Sequence, residues 1–144
     1  MKYEIPTFEY CLETGMKSLH GSIVYNNGVL VGQSTNQPQG CIFGCHVPSV
    51  HAEMKAIHIA KKCVKNFKKC VLIVVRYNRA GKLVNSYPCF FCLELIRLSG
   101  IKTIYYSNDE GELVKEKVKD MNFIHISTGM NRAGIHRLNY RIRF

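Results

Sequence analysis

Phe8, Leu12, Met16 and Leu19 recur at helical spacing behind Pro6-Thr7, which predicts an amphipathic helix ending near Gly21. The period then changes. Residues 22–25 and 29–33 read as strands flanking Asn26-Asn27-Gly28, whose Asn-Gly pair suits the positive φ angles of a tight hairpin turn. Residues 34–50 are rich in Gln, Gly, Pro and Asn and show no period. That is long for a passive connection in a small domain, so the loop is expected to carry function. Residues 49–62 read as a buried helix with Ser49 available as its cap. Residues 70–75 form a short continuous β-branched run, the pattern of a strand buried on both faces. A turn at 77–82 follows. Pro88 then opens a helix through Leu93, Leu95, Ile96 and Leu98 that stops at Gly100, and residues 101–106 make another strand. Residues 107–121 suit either a hairpin turned at Asn108-Asp109-Glu110-Gly111 or a helix, and the hairpin is preferred.

This order of helix, hairpin, helix, strand, helix and strand predicts an α/β protein: a three-layer α/β/α sandwich around a mixed five-stranded sheet. One domain over residues 1–144 is expected, with a basic C-terminal tail from about 129 to 144, since the length and the 47% hydrophobic content suffice for one core.

Composition narrows the setting. No stretch approaches the roughly 20 apolar residues of a membrane span, and residues 1–6 show no long apolar run like a signal peptide's, so an intracellular protein, cytoplasmic or nuclear, is expected. Seven cysteines, an odd number without an export signal, point to metal binding or burial rather than disulfides. Cys11, Cys63 and Cys70 read as small buried hydrophobes. The net charge of +10 favours anionic partners, nucleotide or nucleic acid.

Chemistry concentrates in two places. His51-Ala52-Glu53 opens one predicted helix and Pro88-Cys89-Phe90-Phe91-Cys92 opens the next, with a buried strand between them, so the two motifs can meet in space. Cys89 and Cys92, three apart, share a helix face, and His51 adds an imidazole, which makes three ligands for a Zn²⁺ ion. A tetrahedral ion then keeps one position for water, whose pKa it lowers toward neutrality. Glu53 lies close enough to reach that water without ligating. Helix N-termini also favour the thiolate form of the cysteines.

The His-x-Glu and Pro-Cys-x-x-Cys pair resembles the signature of the cytidine and deoxycytidylate deaminase superfamily, and the element order follows that family over roughly residues 8 to 106. The resemblance implies a cytidine deaminase-like fold, a hydrolase acting on the exocyclic amine of a nucleobase, and Glu53 as the proton shuttle. It further implies substrate contacts at Asn36, Ala52, Ser86 and Tyr106, and a nucleotide or nucleoside as substrate. Since side chains alternate along a strand, only one of Tyr105 and Tyr106 can face the pocket. A histidine as first ligand is similar to the deoxycytidylate, tRNA-adenosine and polynucleotide enzymes rather than to free-cytidine deaminases, which implies a phosphorylated substrate, deoxycytidylate before others. A homo-oligomer is expected.

Other readings come from other residues. Cys41, Cys45 and His46 have the spacing for a second metal, with local packing of reduced cysteines preferred. The arginine-rich run 131–144 and the lysines 61, 62, 65, 68 and 69 are candidate nucleic-acid contacts, which keeps open a polynucleotide cytidine or adenosine deaminase. A basic nucleic-acid-binding protein with a structural zinc is the alternative from outside the enzymes.

Overall fold

The β-branched run 70–75 forms β5 (Cys70–Tyr77), the central strand of a sheet ordered β2-β1-β5-β7-β8 in the computed structural model, which describes residues 3–42 and 44–122. The first hairpin is where the Asn-Gly signal puts it. β1 (Leu19–Asn26) and β2 (Val29–Thr35) are antiparallel, and Asn27 and Gly28 take φ of 52° and 82°, the two left-handed positions of a tight primed turn. β1 also pairs antiparallel with β5, and β5 pairs parallel with β7 (Thr103–Ser107). A parallel pair requires a crossover, here made through α3 (Phe90–Ser99). β8 (Leu113–Lys117) returns antiparallel on β7, so residues 107–121 resolve as the hairpin. A two-residue strand, β6 (Leu83–Val84), pairs with the end of β5 and raises the expected five strands to six.

Three local expectations are corrected. The first helix, α1, spans only Phe8–Leu12, and Leu19 belongs to β1. The carbonyls of Met16, Lys17 and Ser18, which a continuing helix would need for itself, accept instead from Arg79 Nη2 and Asn36 Nδ2. The loop 34–50 contains its own small hairpin, β3 (Gly40–Ile42) with β4 (Cys45–Val47). Ser49 does not cap α2 (Ala52–Ala60), because Val50 is held extended by two hydrogen bonds with Gln37 and the helix starts only after it.

Two apolar clusters lie on opposite sides of the sheet. α2 and α3 cover Val24, Leu72 and Val74, while α1 and the N-terminal segment cover Ile23, Ile73 and Val75. Adjacent β5 residues thus point into different clusters, as a two-residue period demands. Gly32 on β2 brings α2 close: a Cβ there would run into the Ala56 carbonyl and against Ala60. Cys11 and Cys70 are buried as expected, but Cys63 is exposed at the end of α2. Among the described residues no helix is long and apolar enough to cross a membrane. The tail expected from about 129 lies outside the described residues.

Candidate active site

The two motifs meet at the start of two neighbouring helices on the same face of the sheet. His51 occupies the N-cap position of α2 and Cys89 that of α3, both with extended backbone (φ −72°, ψ 152° and φ −70°, ψ 167°). Neither side chain caps its own helix. Cys92 sits one turn into α3. His51 Nδ1 lies 3.2 Å from Cys92 Sγ and 3.6 Å from Cys89 Sγ, and the three donor atoms all fall within 4.8 Å of one another.

The three side chains shift one another's protonation strongly. The Cys89 thiol is drawn down to about 4, first by its hydrogen bond with Cys92 and then, against its burial, by the hydrogen bond and charge of His51. Cys92 is pushed well above the usual thiol range by burial and by the neighbouring sulfur. Burial works to lower His51, but the hydrogen bond and charge of Cys89, with the charge of Glu53, outweigh it and the imidazole is raised. One nitrogen and two sulfurs at this separation suit a zinc ion, and binding one displaces the protons the trio shares.

Glu53 is the second residue of α2 and 4% exposed. Burial, the largest influence, raises its carboxyl above the ordinary value, with the charge of His51 opposing. Its Oε1 is buried with no hydrogen-bond partner among the described residues. An orphaned carboxylate oxygen costs free energy, so its retention beside three ligand atoms fits a group completed by a metal site and its substrate.

A cavity of about 430 Å³ opens over His51, Glu53 and Cys89. Asn36 and Ser86 line it, as the resemblance implies, but their polar atoms are largely engaged within the protein. Asn36 Oδ1 accepts from His20 N at 3.1 Å, and its Nδ2 donates to the Ser18 carbonyl at 2.8 Å. The Ser86 hydroxyl donates to the Val74 carbonyl at 2.8 Å and accepts from Ser107 N at the same distance. Ala52 is fully buried at the start of α2. Tyr106 stands behind the wall: its hydroxyl donates to Glu116 Oε1 at 2.8 Å, and its ring packs edge-on against Tyr87 at 5.0 Å. Burial, then that carboxylate, pushes the Tyr106 phenol up to about 12. Tyr105 points into the opposite cluster.

Sequence reasoning missed Tyr87, which lines the cavity, although it immediately precedes Pro88-Cys89. His20 and Arg76 also line it, and no spacing signals them, because only the β1–β5 register sets the two side by side. Cys41 and His46 pair directly across the β3–β4 hairpin, both exposed, while Cys45 pairs with Ile42. Among the described residues, His51, Cys89 and Cys92 are the trio whose donor atoms converge.

Residues 9–108 match the sequence profile of the cytidine and deoxycytidylate deaminase zinc-binding region. Among solved structures, the dCMP deaminase of the cyanophage S-TIM5, in apo form, is similar at 24% identity and a TM-score of 0.45, over 63% of this chain and 67% of that one. No curated protein sequence matches significantly.

Proposed function

The chain belongs to the cytidine and deoxycytidylate deaminase family, and on that premise we propose that it hydrolyses a cytosine nucleotide, deoxycytidylate first, to the uracil nucleotide and ammonia. The observation that carries the reading is the orphaned, buried Glu53 oxygen beside the His51-Cys89-Cys92 trio. A zinc ion held by those three residues would supply Lewis acidity and make water nucleophilic near neutral pH.

The chain's own residues do the rest. Glu53, kept protonatable by its burial, takes a proton from the attacking water and passes it to N3 of the ring as the new C4–O bond forms. The second water proton goes by the same carboxylate to the amino group. The C4–N bond then breaks and ammonia leaves. Tyr87, set by Tyr106 and by hydrogen bonds with both the N–H and the carbonyl of Asn122, provides a rigid aromatic wall for the base. Asn36 anchors the segment 16–20 that forms the opposite wall.

The test is ammonia release by zinc-loaded wild type and Glu53→Ala from dCMP, cytidine, adenosine and short single-stranded DNA and RNA. Release from dCMP by wild type and its loss in the variant are expected; wild-type turnover in Glu53→Ala sinks the mechanism. The charge of +10 and the exposed Lys62, Lys65, Lys68 and Lys69 favour a second reading, a polynucleotide deaminase. Activity on an oligonucleotide alone, with binding that falls steeply with salt, would select it.

A further inference from the structure

The cavity over Glu53 carries one cation that deamination does not use. Arg76 follows Val74 by one pleat on β5, so it stands on the sheet face that α2 and α3 cover, just where that cover ends. It is exposed, and among the described residues its guanidinium makes no hydrogen bond or ion pair. Its cross-strand neighbour His20 is held neutral, drawn down to about 3 chiefly by burial and then by Arg76 itself, and so contributes no second positive charge to this wall.

Next to the cavity lies a second hollow of about 540 Å³, and Ser18, Arg76 and Asn85 line both. The other charged residues there are Lys17, Arg79 and Asp109. Arg79 is committed to the carbonyls of Met16 and Lys17, at 2.9 and 3.1 Å. Asp109 already accepts from Asn85 Nδ2 at 3.0 Å. Among the described residues, the Lys17 and Arg76 side chains are left as uncommitted cations, Lys17 lining the second hollow and Arg76 lining both it and the cavity over Glu53. A free nucleoside has no anionic group to pair with them. A phosphate does, and a guanidinium matches it with two parallel hydrogen bonds.

We propose that Arg76, supported by Lys17, binds the phosphate of a substrate whose base lies over Glu53, and that this contact makes phosphorylated nucleosides the substrates in preference to free ones. The proposal rests on the deaminase reading above. Its chemistry is that of a phosphate ester on the nucleoside, a terminal monoester or an internal diester.

The experiment measures ammonia release by zinc-loaded wild type, Arg76→Ala and Arg76→Lys from deoxycytidine, dCMP and a cytosine dinucleotide. Loss of one charge-assisted contact is expected to lower the kcat/KM ratio of phosphorylated to free substrate by about 10- to 100-fold in Arg76→Ala. Arg76→Lys, which keeps the charge without the fork, should retain part of the ratio, a pattern that a folding defect does not produce. A loss confined to dCMP identifies the monoester, and one confined to the dinucleotide identifies the diester. An unchanged ratio in Arg76→Ala overturns the proposal. If wild type releases ammonia from none of the three, the deaminase reading has failed for cytosine. Calorimetric titration with dCMP then decides the phosphate site: weaker binding by Arg76→Ala supports it, while equal or absent binding overturns it.

Discussion

On the face covered by α2 and α3, Ile57, Leu72, Leu93 and Ile96 have no exposure at all, whereas on the other face, among the described residues, the five-residue α1 leaves Val71, Tyr105 and Leu113 only partly buried. The candidate site lies on the first face. A metal trio must hold three donor atoms at a fixed separation, and a carboxylate must sit beside them in a strained electrostatic state. Both need supporting side chains locked by packing. The second face closes the sheet with aromatic packing, Tyr3 meeting Tyr25 at 4.8 Å and Tyr105 at 6.0 Å between centroids.

Substitutions can test that contrast. The largest effect is expected at Glu53: Glu53→Ala should cut turnover by about 10²- to 10⁴-fold with zinc content unchanged, read by ammonia release beside metal analysis. Ile57→Ala, a truncation under α2, should cost about 2–5 kcal/mol in urea unfolding. At Gly32, alanine forces the strand and α2 apart at a cost of about 1–3 kcal/mol, and zinc affinity should fall with it, because α2 carries His51 and Glu53. On the other face, Tyr105→Ala should cost about 1–2 kcal/mol and leave zinc affinity alone. Equal losses at Ile57 and Tyr105 would mean the faces do not differ as described.

A last effect is one of pH. His20 binds its proton far less readily in the folded protein, at about 3, than in the unfolded chain, whose value is the ordinary 6.5. Between those values the unfolded state holds more protons, so stability is complete above about 6.5 and declines as pH falls toward 3. His20→Gln should flatten that part of the unfolding profile. An identical slope in the variant would assign the decline to other groups.

Much of the site was legible in one dimension because its residues are tied to local structure. His51, Glu53, Cys89 and Cys92 lie at helix starts, where spacing converts directly into geometry, and Asn27-Gly28 specifies its turn by the φ angles it tolerates. The first helix is shorter than its period suggests: it ends at Leu12, Gly15 turns left-handed at φ 71°, and the following carbonyls are taken by Asn36 and Arg79, which are far away in sequence. Ser49 failed as a cap for the same kind of reason, a pairing of Val50 with Gln37. Tyr106 was read as a pocket residue, yet Tyr87 faces the cavity and Tyr106 supports it.

What the sequence by itself determined was the placement of His51, Glu53, Cys89 and Cys92 at helix starts and the alternation of strands and helices, since each depends on contacts within a few residues. What only the tertiary structure decided was which walls surround that chemistry. Arg76 beside His20, Tyr87 against Tyr106, and the two hollows that share Ser18 and Asn85 in their linings all follow from strand register and helix packing. Register is set by the burial of the whole sheet at once, and so leaves no local mark at the residues it brings together.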